Sequence, residues 1–346
     1  MQIQTNSSLK RYNTFGIDVI AKYFALFNSI EEIKKLTACK ELPVENYPLL
    51  ILGGGSNMLF TKNFDGLVLK NEIKGIEIVS EDEDNVYIKV GAGENWHQLV
   101  LYCIHNNFAG VENLSLIPGN VGASPMQNIG AYGVEIKDVF HSLEAFHLQE
   151  KTTTTFNLNE CAFGYRESVF KKKHKNKFVI TYVTFKLHKK PVFNTSYGAI
   201  EQELEKMGVQ ELSIKAISDA VINIRSSKLP NPAEIGNAGS FFKNPEISSS
   251  QFEALKLLYP AMVGYSLANG NVKLAAGWLI EQCGPQNGVS WKGYRSGDAG
   301  CHAKQALVLV NYGYANGNEL YKLSEGIIAS VNEKFAVLLE REVNII

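Results

Sequence analysis

Hydrophobic positions in the first half of the chain predict strands with a few helices between them. Apolar residues spaced by three and four predict a helix over 29–39, which starts with the capping box of Ser29 and Glu32. The same spacing predicts a helix over 96–104, and we expect Pro43 to end any extension of the first helix. Continuous or alternating apolar runs predict strands over 48–52, 86–90, 143–148, 152–158 and 178–187.

In the second half the pattern changes to helical spacing, which places a domain boundary near Gln210. The predicted elements are helices over 214–224, 252–258, 273–283 and 320–335, followed by a closing strand over 336–346. Strands dominate one part of the chain and helices the other. The patterns together predict an α+β fold.

A glycine-rich turn follows the predicted strand at 48–52. Its residues are Gly53, Gly54, Gly55, Ser56 and Asn57. Glycine adopts positive φ at little cost, so several backbone N–H groups in such a turn can point at one anion. A plain tight turn explains the same residues equally well. The turn lacks the pattern of a dinucleotide-binding Rossmann loop or of a nucleotide-hydrolase P-loop.

A second glycine-rich tract carries little charge and looks like an ordered loop lined by backbone. Its candidate ligand-binding residues are Pro118, Gly119, Gly122, Ala123, Ser124, Gln127, Asn128, Gly130, Ala131, Tyr132 and Gly133. Two uncharged loops of this kind suggest one long ligand with a diphosphate and a flat ring, which fits a flavin dinucleotide. Structural turns alone remain the alternative.

Composition narrows the possible partners. The chain has 346 residues, with 34 Lys and Arg against 35 Asp and Glu, so its formal net charge is −1. No general field attracts nucleic acid or an anionic membrane, and we expect a small-molecule partner. Five cysteines without a C-x-x-C pair indicate reduced thiols, with no disulfide and no metal site. The start of the chain has no signal-peptide pattern and no apolar run could span a membrane, so we expect a cytoplasmic protein.

Seven strings resemble one enzyme family, in order and with near-matching spacing from about Asn13 to Glu342. They are GGGSN at 53–57, IPGNVG at 117–122, PMQNIGAYG at 125–133, YRES at 165–168, SKLP at 227–230, GNAGSFFKNP at 236–245 and AAGWLIEQC at 275–283. The family they resemble is that of the UDP-N-acetylenolpyruvoylglucosamine reductases, flavoenzymes also called UDP-N-acetylmuramate dehydrogenases.

The resemblance implies a fold and an activity. The fold would be an FAD-binding fold of the vanillyl-alcohol-oxidase type with two FAD-binding subdomains, 1–70 and 71–210, followed by an α+β substrate-binding domain over 211–346 that ends in the catalytic strand. The activity would be NADPH-dependent reduction of an enolpyruvyl ether on a UDP-sugar to a lactyl ether, in peptidoglycan precursor synthesis. FAD and NADPH are the expected cofactors, and we expect a monomer.

The resemblance also implies three catalytic residues. Arg166 would hold the substrate carboxylate, where negative charge develops after hydride addition, since guanidinium binds carboxylate with two parallel bonds. Ser240 would protonate the neighbouring carbon. Alternation places Glu340 and Glu342 on one face of the closing strand and cannot choose between them, whereas the family glutamate precedes Val and so matches Glu342. The family has arginine where this chain has Asn344, which puts any cofactor contact of that arginine in doubt.

The same resemblance implies that the substrate diphosphate is bound by a set of polar residues: Tyr197, Lys228, Asn244, Tyr265 and Gln305. Lys228 would supply charge and the others oriented hydrogen bonds. Tyr265 begins a polar stretch that matches an extra loop in the longer subclass of the family, and this loop could close over the nucleotide.

Two other functions remain open at the level of sequence. One is a different FAD-dependent oxidoreductase of the same fold, acting on an alcohol or lactone. The other is a flavin-binding or nucleotide-sugar-binding sensor without catalysis. Arg166, Ser240 and Glu342 argue against the sensor, and a turnover assay would discriminate between the two classes.

Overall fold

The computed structural model describes residues 2–39, 47–286 and 288–346. Pro43, which we expected to end an extension of the first helix, lies outside the described residues. No helix in the described part of the chain is long and apolar enough to cross a membrane.

The described chain consists mostly of strands with a few helices up to residue 188, and of helices with short strands thereafter. In chain order the strands are β1 (Gln4–Ser8), β2 (Ile20–Phe27), β3 (Leu49–Leu52), β4 (Met58–Leu59), β5 (Phe64–Asn71), β6 (Ile76–Glu81), β7 (Asn85–Gly91), β8 (Gly130–Ala131), β9 (Val134–Glu135), β10 (Phe140–His147), β11 (Thr153–Asn157), β12 (Phe178–His188), β13 (Gly236–Ser240), β14 (Glu246–Ile247), β15 (Gly264–Ser266), β16 (Val272–Leu274), β17 (Arg295–Ser296), β18 (Ala299–Cys301), β19 (Val308–Asn311) and β20 (Asn344–Ile345). The α-helices are α1 (Ile30–Thr37), α2 (Trp96–His105), α3 (Leu158–Cys161), α4 (Gly198–Lys206), α5 (Ile214–Lys228), α6 (Ser249–Leu258), α7 (Ala276–Glu281) and α8 (Gly317–Phe335).

The chain divides into two compact units, each built from several segments. Unit 1 consists of Met1–Ser7, Ile20–Gly55 and Phe64–Ser227. Unit 2 consists of Ser8–Val19, Ser56–Asn63 and Lys228–Ile346. The division into three parts at 70 and 210 that the resemblance implies stays a prediction.

Unit 1 contains a four-stranded sheet, a five-stranded sheet and the two-stranded sheet β8-β9. The first has the order β1-β2-β5-β3, with β5 parallel to both β2 and β3. The second is antiparallel, with the order β11-β10-β12-β7-β6. β12 lies in the centre of this sheet. Its alternating residues Val183, Phe185 and Leu187 are buried on one face. α2 packs on this sheet, and its Trp96 ring lies 5.9 Å from Phe185.

The predicted helix at 29–39 is confirmed by α1, where the Ser29 hydroxyl accepts a hydrogen bond from the Glu32 N–H at 3.2 Å. Ile33 and Leu36 are its buried residues, as the spacing predicts. The strands predicted at 48–52, 86–90, 143–148, 152–158 and 178–187 correspond to β3, β7, β10, β11 and β12.

Unit 2 contains an antiparallel sheet with the order β13-β19-β18-β17 and a small one with the order β14-β16-β15. α8 is its longest helix, and a reciprocal capping box of Asn316 and Glu319 starts it. Ala336, at φ +52°, ends it. The buried side chains of α8 recur at helical spacing, which confirms the helix predicted over 320–335.

The closing segment differs from the expected strand. We expected one strand over 336–346, but the segment pairs first with Phe242, through a bridge at Arg341, and then with β4 through β20. The first partner is antiparallel and the second is parallel. Hydrogen bonding to two partners in succession interrupts the ladder, although the Glu342 N–H between them still donates to the Phe241 carbonyl.

Candidate functional site

The two glycine-rich segments of unit 1 approach each other so closely that side chains are excluded. A Cβ atom at Gly54 would lie 2.7 Å from the Gly119 Cα and 2.9 Å from the Asn120 Oδ1. No flexible side chain could move aside to relieve the backbone contact. The approach therefore requires glycine at Gly54, and it leaves a surface on which backbone groups are accessible to a ligand.

A third glycine turn, Gly91 to Gly93, supports the second loop. The Val121 N–H donates to the Glu94 carbonyl at 2.8 Å, and the Gly122 N–H donates to the Ala92 carbonyl at 2.9 Å. A Cβ atom at Gly122 would lie 2.6 Å from the Ala92 Cβ. Three segments of low side-chain content thus meet at one place in unit 1. That arrangement fits the diphosphate of a dinucleotide, which is bound by backbone N–H groups rather than by bulk charge.

Two predicted cofactor residues use their side chains inside the loop. The Ser124 hydroxyl is buried and donates to the Val121 carbonyl at 2.7 Å. The Asn128 amide is fully buried and donates to the Glu135 carboxylate at 3.0 Å and to the Gly164 carbonyl at 3.1 Å. These two side chains are used to hold the loop in shape. The groups that these residues can offer a ligand are therefore their backbone groups.

Arg166 contacts the same loop from a strained position. It lies at φ +54°, a region that side chains other than glycine rarely occupy. Its Nη2 donates to the Gly130 carbonyl at 2.6 Å, and a Cβ atom at Gly130 would lie 3.1 Å from its Nη1. The guanidinium also lies 5.3 Å from the centroid of the Tyr165 ring. The structure thus places a half-buried cation beside the second glycine-rich segment.

Tyr132 and Tyr197 come together in unit 1. Their ring centroids are 5.3 Å apart with an edge-to-face arrangement. Tyr132 lies at φ +51°, and its hydroxyl is hydrogen-bonded to Arg225 of α5. Burial raises the pKa of the Tyr132 phenol, and the charge of Arg225 opposes that shift. Tyr197 is about half exposed, at 48%.

In unit 2, a bulge in β13 precedes Ser240. The register of β13 on β19 shifts between Asn237 and Ser240, and Gly239 between them lies at φ +69°. The Gly239 N–H donates to the Asn237 Oδ1 at 2.9 Å. Bulges re-aim the residue that follows, so this one determines the direction of the Ser240 side chain. Phe241, directly after it, is fully buried.

Glu342 lies beside the same segment. Its N–H donates to the Phe241 carbonyl at 2.9 Å, and its carbonyl accepts from the Asn57 Nδ2 at 3.3 Å. Glu340 behaves differently, because its carboxylate pairs with Lys243 at 2.5 Å and its side chain is 71% exposed. Glu340 thus has an ion-pair partner at the surface, and the choice of Glu342 as the family glutamate stays a prediction.

The predicted diphosphate residues of unit 2 occupy different settings. Asn244 Oδ1 accepts from the Ala276 N–H at 3.0 Å at the start of α7, so its NH2 group is the part suited to a ligand. Gln305 is half-buried, and its Oε1 accepts from the Leu307 N–H at 3.3 Å. Lys228 is the exposed last residue of α5, and Tyr265 is 50% exposed on β15, opposite Lys273.

Comparison with known proteins decides the family. The profile of the UDP-N-acetylenolpyruvoylglucosamine reductase C-terminal domain matches residues 231–346, and that of an FAD binding domain matches residues 21–155. The chain is 53% identical to the UDP-N-acetylenolpyruvoylglucosamine reductase of Amoebophilus asiaticus over 346 residues, covering 100% of both chains. It is 47% identical to that of Pseudomonas putida, covering 100% of this chain and 99% of the other.

The chain belongs to the UDP-N-acetylenolpyruvoylglucosamine reductase family.

A solved structure of this family supports the fold. The reductase from Thermus caldophilus matches with a TM-score of 0.65 at 24% identity, covering 99% of this chain and 98% of that one. The resemblance seen in the sequence is confirmed, and so is the expected α+β fold that joins an FAD-binding domain to a C-terminal reductase domain.

Two residues in or next to the family motifs were not predicted from the sequence as site residues. Asn237 is buried, and its amide holds the bulge before Ser240 while donating to the carbonyls of Pro230 and Ile235. The Nε of Arg225 is shielded from solvent and has no hydrogen-bond partner among the described residues. The sequence did offer one indication of Arg225. It directly follows Ile224 on the apolar face of α5, where a polar residue is unexpected. An unpartnered guanidinium nitrogen favours an anionic ligand.

The described residues also contain an open pocket of about 620 Å³ that is not the predicted site. It is lined by residues including Glu112, Asn113, His188, Asn194 and Glu201, and it shares only Gly133 with the predicted cofactor residues. Nor does the described chain contain a cluster of three His, Cys, Asp or Glu that could hold a metal ion.

Proposed function

We propose that this chain catalyses the NADPH-dependent reduction of the enolpyruvyl ether of UDP-N-acetylglucosamine-enolpyruvate to UDP-N-acetylmuramate. The observation that carries the proposal is the full-length identity of 53% to a reductase of that name. When bound, FAD supplies two-electron chemistry, taking electrons from NADPH and returning them as a hydride to the terminal vinyl carbon. The product is the lactyl ether UDP-N-acetylmuramate, which is a precursor in peptidoglycan synthesis.

The three glycine segments of unit 1 support the cofactor assignment. At Gly54 a Cβ atom would clash with the Gly119 backbone, and at Gly122 it would clash with Ala92, so neither position tolerates a side chain and we assign the backbone as the binding surface. We assign the dinucleotide to Gly53–Gly55, to Ser56 and Asn57, and to the segment from Pro118 to Gly133. Arg225, with its unpartnered Nε, is the cation of unit 1 suited to the cofactor's negative charge.

Arg166 is assigned to the substrate carboxylate. Hydride addition at the vinyl carbon moves charge onto that carboxylate, and a fixed guanidinium stabilises it most strongly in the transition state. The bond to the Gly130 carbonyl and the strained backbone fix Arg166 before the substrate arrives. A preorganised cation does not need to be reoriented during the reaction.

Ser240 is assigned as the proton donor to the carbon next to the vinyl terminus. The bulge at Gly239 sets its direction, and the buried rings of Phe241 and Phe242 keep water from the backbone beside it. Serine is a weak acid, so its proton must be shared with a charged neighbour. Glu342, whose backbone is bonded to Phe241, is assigned that electrostatic role.

The substrate diphosphate is assigned to Tyr197, Lys228, Asn244, Tyr265 and Gln305. Lys228 contributes charge and the others contribute directed hydrogen bonds. We further propose that the enzyme acts in the cytoplasm as a monomer, because UDP-sugar precursors are soluble and each chain carries a full set of assigned residues.

A turnover assay tests the proposal. Purified protein loaded with FAD is mixed with NADPH and the enolpyruvyl UDP-sugar, and the lactyl ether is identified by mass spectrometry. We expect one NADPH consumed for each lactyl ether formed. Oxidation of NADPH by oxygen alone, at a rate that the UDP-sugar does not change, would support a different oxidoreductase. Tight binding of the UDP-sugar without any product would support a sensor.

A further inference from the structure

Arg341, directly before Glu342, is bound to the side of α8 by three contacts. Its Nε donates to the Ser324 hydroxyl at 2.9 Å, and its guanidinium pairs with the Glu325 carboxylate. The same guanidinium lies 4.7 Å from the centroid of the Tyr321 ring. Residues 321, 324 and 325 occupy one face of the helix, so all three contacts hold the arginine in a single place.

The bond to Ser324 has a defined direction. Ser324 is fully buried, and its one hydroxyl proton goes to the Tyr321 carbonyl at 2.6 Å. The hydroxyl oxygen can therefore only accept, and it accepts from the Arg341 Nε. α8 is itself anchored by buried side chains along its length. Arg341 is thus attached to a rigid element through a buried hydroxyl as well as through the half-exposed Glu325 carboxylate.

The backbone on either side of Arg341 is also fixed. Phe242 pairs with Arg341 in a bridge, and the Glu342 N–H donates to the Phe241 carbonyl. Beyond Glu342, both the N–H and the Nδ2 of Asn344 donate to the Asn57 carbonyl, at 3.1 Å and 2.8 Å. Consecutive side chains of an extended segment point to opposite faces. Attachment of Arg341 to α8 therefore turns Glu342 to the other face.

We propose that Arg341 is a positioning residue that fixes the orientation of the Glu342 carboxylate for protonation of the substrate carbon. This inference rests on the proposed function. Neither α8 nor the ion pair with Glu325 needs to touch substrate or cofactor for this role. The role is restricted to the step in which Glu342 acts, which is the transfer from reduced flavin to the enolpyruvyl substrate.

The test separates the two halves of the reaction by stopped-flow spectroscopy. Arg341→Met removes all three contacts, and Arg341→Lys keeps the charge but loses the Nε donor. We expect Arg341→Met to slow flavin reoxidation by the enolpyruvyl substrate about 10- to 100-fold, as small misplacements of a reacting group do. Flavin reduction by NADPH and the Kd of the substrate should stay within about twofold, and Arg341→Lys should recover part of the loss.

The control on the same segment is Glu340→Gln, which removes the exposed pair with Lys243 and should leave both half-reactions unchanged. A double-mutant cycle gives the decisive readout. In a Glu342→Gln background, Arg341→Met should add less than about twofold to the slowing, because the group that it positions has gone. A purely structural role would instead give the same factor in both backgrounds, and that result would overturn the proposal.

Thermal unfolding of each variant accompanies the kinetics. If Arg341→Met does not fold, Ser324→Ala removes only the Nε acceptor and should give a smaller slowing of the same half-reaction. Equal slowing of both half-reactions by the soluble variants, or no slowing at all, would also overturn the proposal. Failure of the proposed function would be recognised separately, as a wild-type enzyme whose reduced flavin the enolpyruvyl substrate does not reoxidise.

Discussion

At the scale of single residues, the second glycine-rich segment of unit 1 and Arg166, which contacts it, have side chains at positive φ. Asn128, Tyr132 and Arg166 lie at φ +47°, +51° and +54°. Each such position outside glycine costs about 1–3 kcal/mol and persists only where the surroundings determine it. Asn128 is determined by its buried amide and Arg166 by its bond to Gly130. All three are residues that we assign to the cofactor or the substrate, although other non-glycine residues, such as Asn107 and Ala336, also lie at positive φ.

The role of Ser240 leads to the first prediction. Ser240→Ala should leave flavin reduction by NADPH nearly normal and slow reoxidation by the enolpyruvyl substrate about 10²- to 10⁴-fold, because a positioned proton donor acts only in the second half. Stopped-flow absorbance measures both rates. Ser290→Ala, at an exposed serine of the same unit, is the control. Equal slowing of the two halves would contradict the assignment.

The second prediction compares two glutamates on the closing segment. Glu342→Gln should lose most turnover, whereas Glu340→Gln should retain it, because Glu340 is 71% exposed and pairs with Lys243. The pair with Lys243 is a surface interaction, which contributes little to stability. Steady-state kcat and KM of both variants decide the point. If Glu340→Gln is the inactive variant, the assignment of the carboxylate is wrong.

At the scale of elements, the period of the apolar positions predicted most strands and helices. β12 follows because Val183, Phe185 and Leu187 alternate, and α1 follows because its capping residues are local. The bulge before Ser240 could not be predicted, since it depends on the pairing of β13 with β19. The closing segment was wrong as one strand for the same reason, because its change of partner is a tertiary property.

For the candidate site too, the sequence predicted local features but not contacts between distant segments. Glycine content located both segments that we assign to the cofactor, but it could not show that Gly54 lies against Gly119, because the two are far apart in the sequence. The family resemblance supplied Arg166 and Ser240, and local pattern alone did not. Asn237 lies within the GNAGSFFKNP string, but its bond to Gly239 at the bulge shows only in the structure, and Arg341 acts through bonds to α8 and carries no motif.

The approach of the two glycine segments gives the third prediction. Gly54→Ala places a Cβ atom 2.7 Å from the Gly119 Cα, so one backbone segment must move. Overpacking of this kind costs about 1–3 kcal/mol, and we expect FAD affinity to fall at least about tenfold. Fluorescence titration of the apoprotein with FAD measures the Kd.

Gly198→Ala is the matched control for that substitution. Gly198 is the first residue of α4, and a Cβ atom there meets nothing within 4 Å. Alanine is the better helix former, so this variant should bind FAD normally and unfold at the same or a higher temperature. If both variants bind FAD as tightly as the wild type, the contact between the glycine segments does not form part of the cofactor site.

At the scale of the whole molecule, charge is arranged for a small anionic ligand. The formal net charge is −1, so no long-range field assists binding. Of the assigned cations, Arg166 is half-buried and the Nε of Arg225 is shielded from solvent, whereas Lys228 is exposed. Salt screens the two shielded cations least when they pair with phosphate or carboxylate groups at short range. We therefore expect substrate affinity to depend only weakly on ionic strength.

The last prediction concerns the cofactor and the stability of the whole chain. Purified protein should be yellow and hold one non-covalent FAD. We do not expect Cys103 or His97 to hold the flavin covalently, because Cys103 is fully buried and burial raises the pKa of its thiol. His97 Nδ1 accepts the Leu116 N–H at 3.0 Å.

A ligand that binds only the native state stabilises it, by about 2.7 kcal/mol at 100 times its Kd. Removal of FAD should therefore lower the unfolding temperature, and added FAD should restore it. Acid precipitation followed by absorbance of both fractions completes the measurement: flavin is expected in the supernatant, and flavin retained in the pellet, or a colourless protein that takes up no FAD, would contradict the assignment.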